Sequence, residues 1–128
     1  MRYLGLDEVL QIHDYAVRKF GGSPELADLD RLESALATPQ QTMFGKDLYP
    51  DLNSKAAILF YLLVKNHPFV DGNKRTGFLS LLRFLGVNGY VLDATDDELF
   101  RFTLDVAISV IDKDAIGAWI SAHLRAIE

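Results

Sequence analysis

Between Lys65 and Phe78 the chain reads "KNHPFVDGNKRTGF", and the nine residues from His67 to Arg75 bring together a histidine, an aspartate, a Gly-Asn pair and two cations. The histidine side chain has an unperturbed pKa near neutrality, so His67 is the candidate general base for taking a proton from an attacking hydroxyl. Gly72 permits a positive φ and close backbone approach, and Asn73 is a good N-cap whose side chain can accept from the amides of the next turn. A helix is therefore predicted to start at about Lys74. Its positive end then meets Lys74 and Arg75, each unfavourable there by about 0.3–1 kcal/mol. A bound anion reverses that sign. Free helix-terminal amides, a glycine, a lysine point charge and an arginine fork together make a phosphate site, best suited to several adjacent phosphates. Asp71 beside it would repel such a ligand unless Mg²⁺ bridged the two, the usual hard-oxygen arrangement for nucleotide phosphates. The parts for phosphoryl or nucleotidyl transfer are then all local.

Taken singly, these residues are ordinary. A histidine at a helix end is more often structural, "DGN" is usually a turn, and "KR" is mostly solvated surface. Their conjunction in one short stretch, against the dipole rule, is what points to function. Acids open two other helices of this chain, at Asp7-Glu8 and Asp96 to Glu98.

The elements on either side must hold the stretch. Ahead of it, "LNSKAAILFYLLVKN" from Leu52 to Asn66 is apolar on all sides, the mark of a helix at the centre of a domain. Pro68 biases His67 away from the helical region and should end that helix there. Behind it, "RTGFLSLLRFLGVNG" carries apolar residues at 78, 79, 81, 82 and 85 and stops in the Gly86 to Gly89 region. The stretch thus joins two core helices.

Helical periodicity accounts for most of the remainder. Asp7 to Phe20 has acids in its first turn, Arg18 and Lys19 in its last, and Gly21-Gly22 as its stop. A short helix runs from about Leu29 to Ala37, and Pro39 ends it. Thr95 to Glu98 has the form of a capping box ahead of "LFRFTLDVAISVI", and Asp112 can cap a last helix with Ile116, Trp119, Ile120 and Leu124 as its apolar face. Thr38 to Pro50, "TPQQTMFGKDLYP", is a long loop of the kind that is often functional, although its apolar groups could equally tuck onto the core. No segment alternates with period two. The expectation is an all-α domain of about six helices, with room for one short hairpin. His13 is expected to be a satisfied structural histidine, His123 to lie on the surface, and Trp119 to sit in the core.

Composition narrows the function classes. At 128 residues and 14.3 kDa the chain is the size of one domain, residues 1–128, with no second one expected. Apolar residues are 49% and charged residues 24%, which is globular rather than disordered. A net charge of −5 disfavours broad attraction to nucleic acid or to an anionic membrane, so any phosphate must be held locally. With no cysteine there is no disulfide, thiolate metal site or thiol nucleophile, and a reducing cytoplasm is compatible. The N-terminus does not read as a signal peptide, and the longest apolar run, Ala56 to Val64, is far short of the roughly 20 residues that span a bilayer. A soluble cytoplasmic protein is the expectation.

"HPFVDGNKR" closely resembles the signature of the Fic/Doc superfamily, His-Pro-Phe-x-Asp/Glu-Gly-Asn-Gly/Lys-Arg. The chain also looks like the Doc (death-on-curing) toxin branch elsewhere, through "YLGLDEVLQIHDYAVRKFGG", "LESALATPQQTMFGKDLYPDL" and "NGYVLDATDDE". The resemblance implies the compact all-α Fic fold. Most Fic enzymes move AMP from ATP to a target hydroxyl, with a Gly-Asn-Gly-Arg motif and a second Arg three residues on. Here Lys74 stands at the second glycine and Phe78 at the second Arg, which removes a close-approach glycine and a phosphate-clamping fork. The Asn-Lys-Arg form is that of Doc, and it implies transfer of the ATP γ-phosphate to a threonine of elongation factor Tu and arrest of translation.

Carried over by position, the resemblance makes His67 the base, Asp71 the carboxylate on the Mg²⁺ side, Gly72 and Asn73 the anion-hole backbone, and Lys74 with Arg75 the phosphate clamp. Phe69 would anchor the loop in the core. The Thr38 to Pro50 loop corresponds to the Fic flap, which holds an extended target segment by backbone pairing, with Leu48 and Tyr49 as its contacts. No Glu follows four residues after any Ser or Thr, so the family's inhibitory helix motif is missing. Inhibition is expected in trans, from an antitoxin whose tail folds onto the toxin. The alternatives are an AMP transferase acting on a protein hydroxyl and a catalytically silent antitoxin-binding module.

Overall fold

The computed structural model describes every residue from Met1 to Glu128. Six helices carry the architecture: α1 (Leu6–Phe20), α2 (Leu29–Ala37), α3 (Leu52–Lys65), α4 (Asn73–Val87), α5 (Asp96–Ala107) and α6 (Lys113–His123). Two short antiparallel ladders join them, β1 (Thr42–Met43) with β2 (Lys46–Asp47), and β3 (Tyr90–Leu92) with β4 (Leu124–Ala126). No helix is long and apolar enough to cross a membrane.

The helix starts follow from local chemistry. Asp28, Asp51, Thr95 and Asp112 each accept a backbone N–H from the residue three positions on, at 3.1, 2.7, 3.1 and 2.9 Å, which satisfies donors the helix itself cannot. At α5 the box is reciprocal, since Glu98 accepts from the Thr95 N–H at 3.1 Å. The Thr95 backbone and hydroxyl bonds hold the Glu98 carboxyl below the ordinary carboxylate range. A carboxyl lowered in the folded state stabilises above its unfolded pKa, and that contribution disappears as pH falls through the folded value. Replacing Glu98 by Gln should therefore lower the urea midpoint at pH 7, and the gap from wild type should close in acid.

α3 sits at the centre, as its all-round apolar pattern requires, with Phe60, Leu63 and Val64 almost fully buried. α4 lies along it and contributes Leu81, Phe84 and Leu85, while α6 adds Ile116 and Ile120. Aromatic rings bind α3 to α5 and α6, with Phe60 on Phe102 at 5.2 Å and Phe102 on Trp119 at 3.9 Å. The α3–α4 contact is close because Gly77 has no side chain: a Cβ there would lie 2.6 Å from the Val64 Cγ2. In a free helix Gly→Ala gains about 1 kcal/mol. Here Gly77→Ala overpacks a buried seam and should cost about 1–3 kcal/mol in chemical denaturation, with Val64→Ala in the same chain restoring part of it.

Two expectations about the C-terminal end need correction. The last helix ends at His123, and Leu124, assigned to its apolar face, instead opens β4 and pairs with Leu92. That strand is too short to show an alternating pattern, and its partner is distant in sequence. His123 is half-buried rather than on the surface, stacked on Trp119 at 3.9 Å with its Nδ1 donating to the Trp119 carbonyl at 2.7 Å. The Thr38 to Pro50 loop contains a 3₁₀ turn at Thr38–Gln40 and then the β1–β2 hairpin, which is the one short hairpin that the sequence left room for.

Candidate active site

The loop between α3 and α4 is held from three sides. The segment after α1 pairs with it: the amides of Ala27 and Asp28 donate to the Pro68 carbonyl at 2.9 and 3.0 Å, and the Val70 amide donates to Glu25 at 3.1 Å. Arg31 donates to the Asn66 carbonyl at 3.2 Å. From α1, the buried His13 stacks flat on Phe69 with ring centroids 3.7 Å apart, and its Nε2–H donates to the Asp71 carbonyl at 2.8 Å. His13 is thus the satisfied structural histidine expected, and its work is to brace this loop. Its partner is 58 residues away in sequence, so nothing local to helix α1 could have revealed it.

Asn73 has a different task from the one its residue type suggested. Gly72 takes the N-cap position in the left-handed region at φ 81°, and Asn73 becomes the first helical residue. Its side chain turns back into the loop instead of forward into the helix. The Oδ1 accepts from the Phe69 amide at 3.0 Å and the Nδ2 donates to the Phe69 carbonyl at 2.8 Å. Phe69 itself is buried, so both of its backbone groups are satisfied away from water.

The start of α4 is consequently left bare. No side chain caps it and its first turn holds no acid. The first backbone bond of the helix is from Thr76 to the Gly72 carbonyl at 2.9 Å, which leaves the amides of Asn73, Lys74 and Arg75 ahead of it. Those amides open on a cleft of about 370 Å³ whose walls include Gly21, Gly22, Asp71, Lys74 and Arg75. Lys74 is exposed, whereas the Arg75 guanidinium lies over the Phe20 ring at 3.5 Å and is fixed in direction. Gly22 comes so near Asp71 that a Cβ would sit 3.1 Å from the Asp71 Cβ, which lets the α1 end form the opposite wall. Arg75 and Phe20 also border a second, largely apolar cleft of about 430 Å³ that includes Phe78.

His67 stands apart from the cleft walls and is exposed. It does not adopt the extended conformation expected before proline: its φ is +49°, in the left-handed region that a non-glycine residue occupies at a cost. The reason is that His67 directly follows the α3 C-cap Asn66, where a left-handed residue ends the helix. Its ring Nδ1 lies 3.4 Å from the Asn73 Nδ2. Asn73 is therefore the link between the histidine and the helix start. Asp71 carries one oxygen that accepts from the Ser23 amide at 2.8 Å, and its side chain is otherwise exposed. Of the two flap residues named from sequence, Leu48 extends the hairpin by donating to the Gln41 carbonyl at 3.0 Å and is exposed. Tyr49 is half-buried and lines a hollow between α3 and α6 with Ala57 and Gly117. At the hairpin tip Phe44 is 98% exposed, a residue the sequence reading did not single out among the loop's apolar groups.

A helical bundle in which a His-Pro-Phe loop runs into the uncapped, cationic start of a central helix defines one class of protein. Residues 3–85 match the Fic/DOC family, and the chain belongs to it, on its Doc branch. It is 38% identical over 128 residues to the protein named Toxin Doc of Mycolicibacterium smegmatis, covering 98% of this chain and 96% of that one. It is 30% identical over 118 residues to the protein named Protein kinase doc of Escherichia phage P1, covering 91% of each.

Proposed function

We propose that residues 1–128 act as one unit, a Doc-type toxin that transfers the γ-phosphate of ATP to a Ser or Thr hydroxyl of a translation factor similar to elongation factor Tu. The observation that carries this reading is the bare α4 start, where amides, Lys74 and Arg75 converge on one cleft with no acid in the first turn. The names of the two relatives, one a toxin and one a protein kinase, point the same way. Phe78, in place of a second phosphate-clamping arginine, argues against AMP transfer.

In this reading His67 takes the proton of the target hydroxyl as its oxygen bonds to the γ-phosphorus. The bond from that phosphorus to the β–γ bridging oxygen breaks, and ADP leaves. The amides of Gly72, Asn73 and Lys74 and the two cations hold the phosphates, while Phe20 keeps the Arg75 fork aimed at them. No group of three or more His, Asp or Glu side chains could form a metal site by itself. Mg²⁺ is commonly bound by one or two carboxylates plus substrate phosphates, and Asp71, with a free oxygen beside the cleft, would hold the ion, which would neutralise phosphate charge. The β1–β2 hairpin would hold the target segment, with Leu48 among its contacts. An antitoxin would inhibit in trans, in the cytoplasm.

The test is incubation with elongation factor Tu and ATP labelled at the γ or the α position. Transfer of γ-label is the expected result. Transfer of α-label would replace this reading with AMP transfer, and transfer of neither would leave a binding module.

A further inference from the structure

Lys55, in the first turn of α3, is 3% exposed, and it is a cation both desolvated and placed at the positive end of a helix. A lysine is retained in such a place when it is held by specific partners. Its Nζ donates to the Pro39 carbonyl at 3.0 Å, lies 3.7 Å from the Asp47 Oδ2, and faces the Tyr3 ring at 5.5 Å. Pro39 belongs to the turn that leads into the hairpin and Asp47 to its returning strand, so one ammonium group joins both roots of the hairpin to α3. The hairpin needs such a tie, because all four of its strand residues are exposed and its tip carries Phe44 and Gly45 at positive φ, 51° and 76°.

We propose that Lys55 is a positioning residue for the protein substrate: it clamps the hairpin at a set distance from His67, using α3 as the rigid spacer between them. Eleven residues of helix separate Lys55 from Asn66, about 16 Å at 1.5 Å per residue. An extended peptide covers that span with about five residues at 3.3 Å each. A target segment of that length, held at one end by the hairpin, presents its hydroxyl at the other end to the histidine. The catalytic part of this proposal rests on reading the hairpin as the element that holds the target; the clamp itself does not.

The experiment therefore has two readouts on Lys55→Met, with Lys55→Arg as the conservative variant. Hydrogen exchange at the Leu48 amide, which closes the hairpin, should quicken at least tenfold in Lys55→Met and return most of the way in Lys55→Arg. The KM for the protein substrate should rise at least fivefold in Lys55→Met, with the KM for ATP unchanged. Unchanged exchange at Leu48 would overturn the clamp. Faster exchange with the two KM values moving in parallel, or not at all, would overturn the positioning role. If the wild-type chain transfers no label, the functional reading fails while the exchange result still decides the clamp. If Lys55→Met does not fold, Asp47→Ala, which removes the exposed partner, carries the same expectations at smaller size and the same grounds for rejection.

Discussion

His67→Ala should lower phosphoryl transfer by about 10²- to 10⁴-fold, the usual contribution of a positioned general base, without loss of fold. The side chain is exposed, so its removal opens no buried cavity. Its contact with Asn73 bears on the chemistry. A strong hydrogen bond from that amide to Nδ1 would keep the neutral ring's proton on Nε2 and spoil Nε2 as a base. At 3.4 Å the contact is beyond the best range, so it does not fix the tautomer. The backbone supplies a sharper control. At φ +49° a non-glycine residue bears a cost of about 1–2 kcal/mol, so His67→Gly should be inactive like His67→Ala yet more stable than it by about 1 kcal/mol. Urea denaturation of both variants, alongside label transfer, checks the pair. Full activity in His67→Ala would remove the base assignment, and equal stability of the two variants would remove the strain argument. If both expectations hold, the backbone at position 67 favours glycine over alanine while the reaction requires histidine.

Much of this was legible because the relevant physics is local. Aspartate or threonine three residues ahead of a free amide marks a helix start, and Thr95 and Asp112 both cap as read. The apolar surround of α3 identified the central helix, and cations at the start of α4 identified an end that the chain leaves bare. What stayed hidden depends on distant partners. β4 pairs with a strand more than thirty residues earlier, His13 meets a carbonyl 58 residues on, and Lys55 gains its partners only when Pro39 and Asp47 fold over it. Asn73 was misread for a subtler reason. Asparagine is a strong cap, but Gly72 already supplies the left-handed cap residue, which shifts Asn73 one place into the helix and frees its amide for Phe69.

That shift makes Asn73→Ala the most damaging substitution expected in the loop. Asn73 is 7% exposed, and its side chain is the partner given to both the amide and the carbonyl of Phe69. The neighbouring bonds to the Ala27–Asp28 segment and Glu25 use Pro68 and Val70 and cannot substitute for it. Alanine would strand two buried backbone groups at about 1–3 kcal/mol each, so a loss of about 2–6 kcal/mol is expected in urea denaturation. Transfer should fall about 10²-fold in the fraction still folded, because the loop that sets His67 against the α4 start loses its brace, and a displacement of about 1 Å suffices for that. Asn73→Asp separates the two effects. Its carboxylate can still accept from the Phe69 amide and sits favourably at the helix start, so most of the stability should survive. The same charge faces the Phe69 carbonyl and opposes phosphate in the cleft, so transfer should stay low. Wild-type stability in Asn73→Ala would show that the loop is braced elsewhere, and wild-type transfer in Asn73→Asp would show that the phosphates do not bind at the start of α4.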